Sequence, residues 1–72
     1  MITVKVYYES SGEPAIDKIV SLGVEEMFRT DGQFTDIDGE ALFNVEPCDG
    51  KVFVNGSTVY KGHLRERIIV YV

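Results

Sequence analysis

The sequence predicts a small all-β domain, and two observations carry that expectation. Apolar and polar residues alternate in several separate stretches of the 72-residue chain. Glycine, proline, asparagine and aspartate cluster between those stretches rather than inside them. A period of two marks a strand with one buried face, and short strands divided by turn signals at this spacing make a sandwich or a barrel. The single cysteine, Cys48, rules out an internal disulfide and leaves stability to the core.

The elements follow in order. Ile2, Val4, Val6 and Tyr8 alternate with Thr3, Lys5 and Tyr7, predicting a first strand. Glu-Ser-Ser-Gly-Glu-Pro, residues 9–14, supplies a turn, with Pro14 ending any pairing there. Residues 15–28 read two ways. At helical spacing, Ile16, Ile19, Val20, Val24, Met27 and Phe28 form a stripe, with Pro14 where helices accept it. At strand spacing, Val20, Leu22 and Val24 alternate with Ser21, Gly23 and Glu25. Periodicity leaves both open, and an α+β domain with one helix at 15–28 is the alternative.

Residues 25–35 are expected to be a loop. From Glu40 the alternation returns, with Ala41, Phe43 and Val45 on one face and Glu40, Leu42, Asn44 and Glu46 on the other. Pro-Cys-Asp-Gly, 47–50, is read as a turn, and Val52 and Val54 then alternate with Lys51, Phe53 and Asn55. Asn55-Gly56-Ser57 is another turn, and Thr58-Val59-Tyr60 a short strand. Ile68, Val70 and Val72 share one face of a last strand. The expected core is thus Ile2, Val4, Val6, Phe43, Val45, Val52, Val54, Val70 and Val72.

Length and charge bound the rest. The chain is expected to form one domain, 1–72, and a chain this short buries only about 60% of its unfolded surface. Its formal net charge is −5, which argues against nucleic acid and anionic membranes, since both need clustered cations. The densest basic group, Lys61, Arg65 and Arg67, has Glu66 inside it. No apolar run approaches the ~18–20 residues of a membrane helix. The strand pattern begins at Ile2 with no charged leader region before it. If Met1 is the native start, the cytoplasm is the expected compartment, and Cys48 is a free thiol there.

GEPAIDKIVSL followed by TDIDGEALFNVEPCDGKVFVNG resembles the small Greek-key β-sandwiches of the transthyretin-like (prealbumin-like) group. Carboxypeptidase regulatory-like domains and the B-type repeats of collagen-binding adhesins belong to it. The resemblance implies a strand over 18–24 and a sandwich of about six to seven short strands. It does not bring the group's special chemistry. Lys5 matches the first-strand lysine of the isopeptide-forming repeats, but Arg67–Val72 offers no Asn or Asp to meet it. The hydroxyisourate hydrolases of this architecture use several histidines with an arginine and end in Tyr-Arg-Gly-Ser. Here there is only His63, and Tyr60-Lys61-Gly62 is internal.

Candidate chemistry is sparse. Asp36, Asp38 and Asp49 are the best case for a metal, but placing Gly39 at the sixth position of an EF-hand loop puts Phe34 and Val45 where ligands are needed. Asp-Gly pairs are explained by turns, because both residues tolerate positive φ. His63 and Cys48 offer a nucleophile and a base, but no third orienting group, and His63 falls in the polar loop Lys61–Arg67. The glycines match no phosphate-binding fingerprint. No cofactor, metal or small-molecule substrate is expected.

The expected function is a non-catalytic protein-interaction or accessory module, its partner another protein or a second copy of the chain. Tyr7, Leu42, Phe53, Ile69 and Tyr71 point away from the expected core, and together on one sheet they would make an apolar interface. Edge pairing along the apolar last strand is a second route. The alternative is a small hydrolase or metal-binding protein built on His63, Cys48 and the Asp-Gly loops.

Overall fold

A computed structural model describes residues 1–25 and 27–72. Eight strands form two sheets: β1 (Ile2–Tyr7), β2 (Ile19–Val24), β3 (Phe28–Arg29), β4 (Gln33–Phe34), β5 (Glu40–Phe43), β6 (Cys48–Val54), β7 (Ser57–Leu64) and β8 (Arg67–Tyr71). The fold is the all-β, two-layered one expected, with no helix among the described residues. None of it is therefore a helix long and apolar enough to cross a membrane.

The smaller sheet has the order β5-β1-β8, with β1 antiparallel to β5 and parallel to β8. The larger runs β3-β2-β6-β7, with β4 also on β2. Each strand lays its alternate apolar residues inward: Ile2, Val4 and Val6 from β1, Ala41 and Phe43 from β5, Ile68 and Val70 from β8. Against them lie Val20, Leu22 and Val24 from β2, Val52 and Val54 from β6, and Leu64 from β7. These residues form one cluster, so both sheets depend on one core.

Residues 15–28 take the extended reading. Ile19–Val24 pairs with β6 through Val20–Val54, Leu22–Val52 and Val24–Gly50, which buries the three inward side chains together. As a helix, the same segment would carry Gly23 and several β-branched residues in its interior. Residues 25–35, expected as a loop, contain β3 and β4, which takes the strand count above the expected six to seven. Both short strands pair with β2, and Thr30 bridges the gap between them. The Thr30 amide donates to the Leu22 carbonyl, and the Thr30 hydroxyl accepts from the Leu22 amide.

Three further expectations are corrected. Cys48-Asp49-Gly50 is not a turn but the start of β6, pairing with Leu64, His63 and Gly62. A Cβ at Gly50 would strike the Gly23 carbonyl oxygen, so glycine here permits a close strand approach instead of a bend. His63 lies not in a loop but on β7, which runs four residues past the expected short strand. Its polar sequence disguises it because β7 is an edge strand whose fully buried apolar residue, Leu64, stands at its end, with Val59 and Tyr60 only partly buried. Val45 is only half-buried and Val72 is exposed, because β5 and β8 end before them.

The other turns behave as read. Asn55 (φ 51°) and Gly56 (φ 84°) make the two-residue β6–β7 hairpin, with positive φ at both central positions. At Thr35-Asp36-Ile37-Asp38-Gly39 a carboxylate oxygen of Asp36 accepts from the amides of Asp38 and Glu40, at 2.9 and 3.0 Å. Gly39 has φ +75° and packs on the Val6 carbonyl, so a side chain is doubly disfavoured there. Thr35, 2% exposed, donates its hydroxyl proton to the Ala15 carbonyl at 2.6 Å and accepts from the Lys18 amide at 2.9 Å. That buried threonine ties the crossing into β2 to the crossing into β5.

Candidate functional site

The expected interface residues divide between the sheets. Tyr7, Leu42, Ile69 and Tyr71 project from the outer face of β5-β1-β8. Phe53 projects from the outer face of the larger sheet, because β6 belongs there. Alternation correctly separates outward from inward residues, but it does not say which of two outward faces a residue joins.

On the smaller sheet, the Tyr7 and Tyr71 rings stack with centroids 5.9 Å apart, as their register opposite one another requires. Ile69 stands opposite Lys5, and Leu42 opposite Thr3. Leu42, Ile69 and Tyr71 are 58%, 50% and 57% exposed, high values for apolar side chains on paired strands. One charged group crosses this face: Glu40 accepts from Arg67 at 2.7 Å, with the Lys5 ammonium 4.0 Å away. Half-exposed pairs of this kind contribute at most about 1 kcal/mol.

β8 is also an open edge, with β1 on one side and, among the described residues, no strand on the other. Towards β1, the Glu66 carbonyl accepts from Thr3, and Val72 both donates to Tyr7 and accepts from Glu9. The two-residue repeat of a parallel ladder therefore turns the amides and carbonyls of Arg67, Ile69 and Tyr71 outward. The same three residues present their side chains on the outer face. β7, the other sheet's edge, is less regular, with a register shift opposite Val52/Phe53 and Gly62 at φ +150°.

The outer face of the larger sheet is a groove of about 880 Å³. Its floor is the Phe53 ring, which lies over Gly23, where an added Cβ would stand 3.1 Å from a ring carbon. The Arg29 guanidinium stacks on the same ring, 4.0 Å from its centroid, and its Nε donates to Ser21 Oγ at 3.0 Å. At one end Asp49 and His63 stand in register on β6 and β7, with Oδ1 and Nδ1 3.0 Å apart.

The residues considered for catalysis or metal binding are dispersed. Cys48 pairs with the inward Leu64, whereas His63 pairs with the outward Asp49, so thiol and imidazole lie on opposite faces of one sheet. Desolvation pushes the Cys48 thiol above its ordinary pKa, with the Glu25 and Asp49 carboxylates adding to the effect. Such a thiol carries little nucleophilic thiolate at neutral pH. Asp36 holds backbone amides in its turn, and Asp49 is on β6. Among the described residues no three His, Cys, Asp or Glu side chains gather as a metal site would need.

Compared with known proteins, the chain matches no family model, no curated protein and no solved structure.

Proposed function

We propose that this chain is a non-catalytic interaction module of the transthyretin-like Greek-key kind, which associates with a second copy of itself through the β8 edge and the face beside it. The observation that carries the reading is the coincidence on β8 of open backbone groups and outward apolar side chains at Ile69 and Tyr71. Strand addition would satisfy the first, and burial against the partner the second. The Greek-key comparison draws support from connectivity. The chain leaves the smaller sheet after β1, returns for β5, leaves again for β6 and β7, and returns for β8. Separation of Cys48 from His63 and the use of Asp36 within its own turn favour this reading over a hydrolase or metal protein.

Sedimentation velocity over a rising concentration series is the test. The chain should dimerise, and Ile69→Ser or Tyr71→Ser should each weaken the dimer about tenfold or more. Phe53→Ser, on the opposite sheet, should leave association unchanged. A chain that stays monomeric at millimolar concentration would rule the self-association out.

A further inference from the structure

Basic residues scattered in sequence meet in one place. Arg29 on β3, Gly23 on β2, Lys51 on β6 and Lys61 on β7 stand in consecutive register, a single row across the outer face of the larger sheet. Lys51 and Lys61 are directly opposite one another, an arrangement that costs stability. Among the described residues, no carboxylate lies within ion-pair distance of Lys51, Lys61 or Arg29. Arg29 lines the groove, held there by Phe53 and Ser21. An acidic protein thus gathers three cations in one groove, and the carboxylates that share it, Glu25 and Asp49, make no ion pair with them among the described residues.

We propose that this groove binds a short, extended acidic peptide of a partner protein, laid across the strands along the Arg29–Lys51–Lys61 row. The spacing favours it. Strands sit about 4.8 Å apart, so the cations are spread over roughly 14 Å instead of converging on one point as a small anion would require. An extended peptide presents same-side carboxylates roughly 7 Å apart and meets such a row at successive acids. Exposed Phe28 and Met27 at the rim, and Phe53 in the floor, receive apolar side chains between the acids. The neighbouring carboxylates, Asp49 and Glu25, with the chain's net charge of −5, oppose a long polyanion such as a nucleic acid.

The probe is a fluorescein-labelled (Glu-Val)₄ peptide titrated into the isotopically labelled chain, with (Lys-Val)₄ and a single-stranded oligonucleotide as comparisons. Amide shifts should centre on Gly23, Arg29, Lys51 and Lys61, and affinity should fall as salt rises. Lys51→Gln and Lys61→Gln should each weaken binding about three- to tenfold. Neither variant should lower the urea midpoint, because each relieves a like-charge pair, and this separates lost binding from lost folding. Shifts that map elsewhere, equal binding of (Lys-Val)₄, tighter binding of the oligonucleotide, or unchanged affinity in both lysine variants would each overturn the proposal. Dimerisation at β8 is read separately, on the other face, and neither result decides the other.

Discussion

The two outer faces of this sandwich are built from the same strand alternation and end in opposite chemistry. On β5-β1-β8 the outward positions include Tyr7, Leu42, Ile69 and Tyr71, and the carboxylate of Glu40 is already taken by Arg67 and Lys5. On β3-β2-β6-β7 the outward positions hold a glycine, an aromatic ring with an arginine on it, and two lysines in mutual opposition. The first face exposes apolar side chains, and among the described residues the cations of the second, Arg29, Lys51 and Lys61, make no ion pair. The inward faces differ little, since both supply apolar residues, aliphatic except for Phe43, to one cluster. A shared interior fixes the pair of sheets together and leaves each exterior free to diverge.

The largest effect tests that shared interior. Ile2→Ala, from the smaller sheet, and Leu64→Ala, from the larger, remove fully buried side chains and should each cost about 2–5 kcal/mol. Urea unfolding should remain a single transition by fluorescence and circular dichroism in both. Separate transitions for the sheets would break the comparison at its base.

A smaller loss is expected at the tie between the sheets. Thr35→Val keeps the shape but leaves the Ala15 carbonyl and Lys18 amide without their buried partner, at about 1–3 kcal/mol. Amide exchange should quicken first at residues 15–18, and unchanged protection there would contradict the role given to the hydroxyl. Gly23→Ala should cost about 1 kcal/mol by lifting the Phe53 ring, and should alter the Arg29 side-chain shifts while the Tyr7–Tyr71 pair is unmoved. Movement of both would mean that the faces are coupled.

The smallest effect concerns Cys48. Its raised pKa means slow alkylation near neutral pH, with the rate climbing only at alkaline pH. The unfolded thiol ionises first as pH rises, so its contribution to stability is complete below the unfolded pKa and is lost as pH climbs through the folded one. Alkylation as fast as that of an unfolded peptide at neutral pH would show that the thiol is not shielded by the larger sheet.

Much of this was legible beforehand at particular residues. Ile2 to Val6, Ala41 to Phe43 and Ile68 to Val70 announce buried faces by simple alternation, and Asn55-Gly56 announces its hairpin. Asp49-Gly50 misleads because the same dipeptide that tolerates a turn also lets two backbones approach. His63 and its neighbours conceal a strand because an edge needs few apolar residues. The cationic row was invisible because Arg29, Lys51 and Lys61 are far apart in the chain and meet only through the pairing of four strands.

Side-chain period and turn chemistry are local properties, so the amino-acid order alone determined the extended stretches outside residues 15–28 and the turns at Gly39 and Gly56. Sheet membership and register are set by which strands bury their apolar sides together, a non-local choice. That choice alone placed Phe53 away from Tyr71, turned the Ile69 and Tyr71 backbone to an open edge, and brought three cations into one line.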